Sequence, residues 1–315
     1  MIPYSNLYSS NRSLSIKYKW TLFLIAGVSQ IYRISALRKI YGNKGYGFLL
    51  KSLSRIGVFE FLVTDYTGTY KFELSSNDKF WLNAFLIEKN YEFEISEFLA
   101  RIRVEFNFLD LGSNIGYWAV IASSLQNCKK IVAVEANLAL IPRIQKNLEI
   151  NSVQASVLNM AVVSTDASNV IFHIPLDITQ HAASSLRQFN RSAQTSIKAI
   201  NYDSLIDGNV DDNSVCIVKM DLEGIEYEIL STSQNLSNPK VIVIYEEHGS
   251  DRSSNTTEFL LSGGLHDVYL LTLNQAPIRI SSPEVLTSLK KDLAKGYNCV
   301  SIPKMINSGV LDLNF

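Results

Sequence analysis

The stretch Phe106-Asn-Phe-Leu-Asp-Leu-Gly-Ser-Asn-Ile-Gly-Tyr117 decides how the rest of the chain is read. Its mostly apolar first half, Phe106 to Leu111, has the composition of a buried strand. It stops at Gly112, and from Gly116 the sequence resumes as Tyr-Trp-Ala-Val-Ile-Ala, the start of a helix. Gly112 admits backbone angles closed to other residues, and Gly116 lets the main chain approach a ligand or a strand. The helix start offers unpaired N–H groups and the positive end of a dipole. Three cofactor classes compete for such a turn. A dinucleotide fingerprint needs glycine where Asn114 stands, and a P-loop needs Gly-Lys-Ser/Thr where Gly116 is followed by Tyr117 and Trp118. The third class places an acid, here Asp110, on the strand before the turn. S-Adenosylmethionine has no phosphates and carries a cationic amine and a sulfonium, so a carboxylate suits it and would repel a pyrophosphate. A strand-turn-helix with no ligand competes with these readings on this segment alone.

Working outward, the chain from about residue 100 alternates strand and helix, the signature of a doubly wound α/β domain. Strand 106–111 and helix 116–125 are followed by strand 130–135, helix 138–150 and strand 154–162. A strand-rich insertion from Val170 to about Ile200 precedes strand 214–220, helix 224–233, strand 240–246, helix 256–262 and late strands near 267–273 and 297–302. Upstream, residues 58–75 read as a hairpin turning through Asp65-Tyr-Thr-Gly68, and Phe80 to Ala100 as helix with a break near Asn90. These patterns divide the chain into a basic, mostly helical extension (1–57), a hairpin and helix leading into the core (58–100), and the α/β domain (101–315).

With 315 residues and 47% hydrophobic content, the chain can bury a full core. Net charge is −1, but residues 1–59 hold nine Lys and Arg and no Asp or Glu, so the remainder carries 20 basic against 30 acidic residues. Amphipathic patterns at Trp20, Leu24, Val28 and Ile31, and at Leu49, Leu53 and Ile56, make this segment a helical cap. The alternative is a basic surface for anionic membrane or a lipid-linked substrate. No nucleic-acid motif accompanies the charge. Cys128, Cys216 and Cys299 are far apart and read as buried thiols in a reducing, cytoplasmic compartment. The apolar run Leu22–Val28 is too short for a secretory signal or a membrane span.

Carboxylates at strand ends carry the chemistry. Ile131-Val-Ala-Val-Glu135 ends a strand with an acid about 20 residues past the glycine turn, where it can accept both ribose hydroxyls of an adenosine. Asn159 stands at the next strand end, with the adenine edge as a candidate partner and a plain polar strand end as the other reading. Lys219, Asp221 and Glu223 alternate at the end of an apolar strand, as an ion pair or as acting groups. Tyr245-Glu-Glu-His-Gly249 adds Glu246, Glu247 and His248 at a neighbouring end.

Phe108-Leu-Asp-Leu-Gly-Ser-Asn-Ile-Gly-Tyr117, Val134-Glu-Ala-Asn137, Asn147-Leu-Glu-Ile-Asn151, Tyr202-Asp-Ser-Leu205 and Lys219-Met-Asp-Leu-Glu-Gly-Ile-Glu226 together resemble the successive motifs of the FkbM methyltransferases. The match runs from about Tyr91 to Glu247. Ser113 replaces the family's usual Ala and Ala136 its usual Pro. The resemblance implies a class I methyltransferase (Rossmann-like) fold and S-adenosylmethionine-dependent O-methylation of a sugar hydroxyl in a glycan or natural product. It implies cofactor contacts at Asp110, Gly112, Asn114, Gly116 and Glu135, with Ser113 and Asn137 in the same motifs, and Asp221 and Glu223 near the transferred methyl. Two arrangements would deprotonate the acceptor: His248, Glu246 or Glu247 as general base, or a divalent cation such as Mg2+ on Asp221 with Glu246 or Glu247. His173 and His181, in the insertion, are candidates to touch the acceptor, and His266 reads as structural. The rivals are a protein, lipid or small-metabolite acceptor, and an inactive module that binds a partner or membrane through its N-terminus.

Overall fold

The computed structural model describes residues 58–75, 78–86, 91–175, 186, 192–210, 214–293, 295–306 and 310. The extension 1–57, the break near Asn90 and His181 lie outside them. The chain enters through the expected hairpin, β1 (Val58–Thr64) and β2 (Thr69–Ser75), followed by helices α1 (Lys79–Leu86) and α2 (Phe93–Ala100). The doubly wound part is β3 (Phe106–Leu111), α3 (Tyr117–Ser123), β4 (Cys128–Val134), α4 (Ile141–Ile150) and β5 (Ser156–Leu158). After β6 (Ala161–Val163), β7 (Asn169–Pro175), β8 (Ser192–Asn201) and α5 (Tyr202–Asp207), it resumes with β9 (Val215–Met220), α6 (Glu226–Thr232), β10 (Val241–His248) and α7 (Asn255–Ser262). It closes with β11 (His266–Leu270), β12 (Ile278–Ile280), α8 (Pro283–Leu289) and β13 (Gly296–Pro303).

Eight strands form the main sheet in the order β12-β11-β13-β10-β9-β3-β4-β5, and β6, β8 and β7 form a small sheet beside it. The strands from β10 to β5 run parallel, while β13 is antiparallel to both its neighbours. Strand order reverses at β3: the chain winds outward through β4 and β5, then returns to place β9 on β3's other side. That reversal leaves a crevice beyond the carboxyl ends of β3 and β9.

The pleat sorts side chains onto two cores. Phe106, Phe108, Ile217, Ile242 and Ile244 face the hairpin and α1 to α4, whereas Leu109, Leu111, Val218, Val243 and Tyr245 face α5 to α8. The hairpin is bound to the first core by polar contacts as well. Asp65 at its turn accepts from Ser96 (3.0 Å) and Tyr117 (3.2 Å), and Asn147 of α4 accepts the Glu73 N–H at 2.6 Å.

The span expected as one strand, 154–162, is two strands in different sheets. At the break, Asn159 donates its amide to the Glu135 and Ala136 carbonyls (2.9 and 3.0 Å), turning the chain away from β4. Three short elements were not expected: α5, capped by Asn201 on the Ser204 N–H at 3.2 Å, β12, and α8, which starts at Pro283. No helix among the described residues is long and apolar enough to cross a membrane.

Candidate active site

The ends of β3, β4, β9 and β10 open into a cavity of about 850 Å3, within the range of small-molecule sites. At its floor the Asp221 N–H donates to the Leu111 carbonyl at 3.0 Å, and the Gly112 N–H to that of Val134 at 2.9 Å. Gly112 has φ +84, and a Cβ there would overlap the Asp221 carbonyl oxygen. Glycine is therefore required where β3 turns beside the end of β9.

Glu135 is clamped by the main chain. Its two oxygens accept the Asn114 N–H (2.8 Å) and the Asn137 N–H (2.7 Å). Asn114, with φ +53, in turn accepts the Trp81 indole N–H at 2.9 Å, so α1 holds the glycine turn from above. Burial pushes the Glu135 carboxyl up to about 7 against the pull of those two N–H groups.

Of the residues expected at the cofactor, Gly112, Ser113, Asn114 and Glu135 line the cavity. Asp110, Gly116, Asn137 and Asn159 lie behind its wall. Gly116 packs on Ile144, Asn137 caps the turn at Ala139 (3.1 Å), and Asn159 braces the end of β4 as described above. Asp110 is fully buried, and neither of its oxygens accepts a well-formed hydrogen bond. Burial raises its carboxyl to about 6, with the cross-strand Lys219 ammonium opposing.

The other half of the cavity is built from charge. Lys219, 4% exposed, pairs with Asp221 at 3.1 Å. Burial would lower its pKa, but Asp221, Glu92 and Asp110 hold it well above the usual lysine value. Glu223, in a left-handed backbone conformation, is raised to about 8 by burial and then by Asp221 and Glu226. Glu246 reaches about 9 through burial and the nearby Asp221 and Glu92 carboxylates. It lies across Gly296 of β13, where any Cβ would overlap its carboxylate. His248 lines the rim with a half-exposed side chain, its Nδ1 3.9 Å from Glu246. Seven carboxyl groups and two lysines line the wall, a balance that favours a cationic ligand.

Glu247 is a correction. Strand alternation puts it with Val243 and Tyr245 on the opposite face of β10, where it accepts from Thr257 (3.0 and 2.8 Å) and pairs with the buried Lys290 at 3.2 Å. It is thereby removed both as a base and as a partner of Asp221 in a metal site. Among the described residues no group of three His, Cys, Asp or Glu side chains is placed to hold a metal ion. His173 is buried beside Ser192 (3.3 Å) and does not line the cavity. His266 is held structurally by Ser301 and the Leu236 carbonyl, both at 2.7 Å.

Sequence reasoning missed Glu92, Glu94, Trp81, Trp118, Asn298 and Gly296. Glu92, at φ +48 just before α2, accepts from the Trp118 indole (3.0 Å) and Asn298 (3.3 Å); Asn298 also donates to Glu94 at 2.9 Å. Two acids alternating with Tyr91 and Phe93 were the available signal, but acids there also read as ordinary complements of a helix N-terminus.

The model of the methyltransferase FkbM domain matches residues 110–268, from Asp110 into β11. The chain belongs to the FkbM methyltransferase family. Its fold is accordingly that of class I S-adenosylmethionine-dependent methyltransferases, in agreement with the reversal at β3. No curated protein matches the chain. Similar solved structures include an FkbM methyltransferase from Methylobacillus flagellatus KT, at 16% identity over 64% of this chain and 47% of that one, with a TM-score of 0.36. Precorrin-6y C5,15-methyltransferase from Geobacter metallireducens GS-15 shares 14% over 68% of this chain and 88% of that one, with a TM-score of 0.39. M. jannaschii TYW2, in complex with AdoMet, shares 11% over 77% and 84%, with a TM-score of 0.38.

The residues of this FkbM site fit S-adenosylmethionine on their own chemistry. A glycine turn that admits no Cβ, a clamped carboxylate at the end of β4 and a net-negative wall suit an uncharged nucleoside joined to a cationic sulfonium and amine.

Proposed function

We propose that this chain methylates a hydroxyl of a sugar, in a glycan or glycosylated natural product, using S-adenosylmethionine. The observation that carries the reading is that the cavity joins a half built of the glycine turn and Glu135 to a half dense in carboxyl groups, among them Glu92, Glu94, Asp221, Glu223 and Glu246. In the first half, Gly112, Ser113 and Asn114 supply the close main-chain approach, and Glu135 presents acceptor oxygens for ribose hydroxyls. Asp110, Asn137 and Asn159 support that half from behind. In the second, Lys219 holds Asp221 in place, and Asp221 carries negative charge beside the carboxyl of Glu223, which burial keeps largely protonated near neutral pH. Sugars offer hydroxyl donors, and the second half offers carboxylate acceptors.

When bound, the cofactor supplies an electrophilic methyl carbon whose bond to sulfur breaks with the electron pair left on sulfur. The chain's part is to exclude water, orient the acceptor oxygen and take its proton, work in which orientation and general base catalysis are the dominant effects. Glu246 and His248 stand at the rim of this half.

The test is transfer of a radiolabelled methyl group to a panel of methyl hexosides, free carboxylic acids and primary amines. Label in an alkali-stable ether on a glycoside supports the reading. Label released by mild alkali, as from an ester, or label fixed on nitrogen would replace it with another acceptor class.

A further inference from the structure

Glu92 is held in this cavity by two neutral side-chain donors instead of a cation. The left-handed backbone at φ +48 carries it off the start of α2, toward α3 and β13. The Trp118 indole N–H, which can only donate, lies 3.0 Å from one oxygen, and the Asn298 amide lies 3.3 Å from the other. Both donors favour an acceptor-only, ionised carboxylate and leave each oxygen a lone pair. Glu92 also lines the cavity between Tyr91 and Glu94, and it lies close enough to Lys219 and Asp221 to interact electrostatically with both. Two of the other carboxylates are committed differently: Asp221 to Lys219, and Glu135 to two main-chain N–H groups.

We propose that Glu92, flanked by Glu94 and Asn298, is the catalytic base that orients the acceptor hydroxyl and takes its proton. The inference rests on the sugar O-methyltransferase reading above. The acceptor O–H bond breaks toward a Glu92 oxygen, the oxygen's electron pair enters the new bond to the methyl carbon, and Glu92 ends the step protonated. Its proton then leaves to solvent, past Glu246 and His248 at the rim. The groups facing Glu92 that tune its charge are Lys219 from β9 and Asp221 just past its end, Glu94 from α2, Glu246 from β10 and the Tyr91 hydroxyl.

The test uses the full chain and the Glu92→Gln variant, with S-adenosylhomocysteine and methyl α-glycosides of glucose, mannose, galactose and rhamnose as probes. In calorimetry, S-adenosylhomocysteine is expected to bind wild type and variant within about threefold, because Glu92 stands outside the nucleoside half. In saturation-transfer NMR on the S-adenosylhomocysteine-saturated protein, at least one glycoside is expected to receive transfer, and Glu92→Ala to abolish it. For that glycoside, methyl transfer by Glu92→Gln should fall by roughly 100-fold or more, the usual range for a general base. Turnover within threefold of wild type overturns the assignment, as does the absence of transfer to any glycoside in a protein that binds S-adenosylhomocysteine. A folded protein that fails to bind S-adenosylhomocysteine overturns the parent reading and this one with it.

Discussion

Glu246 and Glu247 are neighbours on one strand, and the two sides of β10 treat them oppositely. On the back side, Glu247 has a full complement: two donors from Thr257 and the Lys290 ammonium, which also donates to Ser254 (2.8 Å) and the Asp251 carbonyl (2.9 Å). On the cavity side, Glu246 joins a crowd of carboxylates with Lys219 as the buried cation among them, and its pKa is driven up to about 9. The matched side holds the C-terminal strands and α8 together. The mismatched side costs the empty protein stability and leaves carboxyl groups that a cationic ligand would draw into their charged form. The difference separates fold from function within a single strand.

The largest loss is expected on the matched side. Lys290→Met leaves Glu247 buried without its cation and should cost about 3–5 kcal/mol in urea unfolding. Next, Gly112→Ala places a side chain against the Asp221 carbonyl at φ +84; a loss of about 3 kcal/mol is expected in the same assay. On the mismatched side the effect is one of pH. Glu92, Glu223 and Glu246 have folded-state pKa values of about 7, 8 and 9, above an ordinary 4.5. Between those limits the folded state binds more protons than the unfolded one, so stability falls as pH rises from about 5 to 9. Denaturation midpoints at pH 6 and 8.5 should show the fall, on the order of 1 kcal/mol per group, and Glu246→Gln should flatten its upper part. The smallest effect belongs to His248→Ala, a half-exposed side chain whose loss should change stability by less than about 0.5 kcal/mol.

Much of this was legible because the fold's signals are local. Phe106–Leu111 before a glycine turn, Val134-Glu135, and Lys219 with Asp221 each lie within a few residues, and the structure brings them to one crevice. Which carboxylate faces the cavity was harder. Glu246 and Glu247 are equivalent as letters, and their fates depend on a one-residue phase of the pleat and on Lys290, some forty residues away. Asp110, read as a cofactor contact because it precedes the turn, lies fully buried on a central strand. Glu92, Trp118 and Asn298 meet across some two hundred residues of sequence, a distance at which no spacing rule operates.

We propose that the half of the cavity around Glu135 binds the nucleoside of S-adenosylmethionine. Calorimetric titration of the wild type and Glu135→Ala with S-adenosylhomocysteine tests it directly, with circular dichroism to verify folding. One-to-one binding to the wild type, weakened roughly 10- to 100-fold in the variant for the loss of charge-assisted hydrogen bonds, is the predicted result. Equal affinity in both, or no binding to a folded wild type, would contradict it.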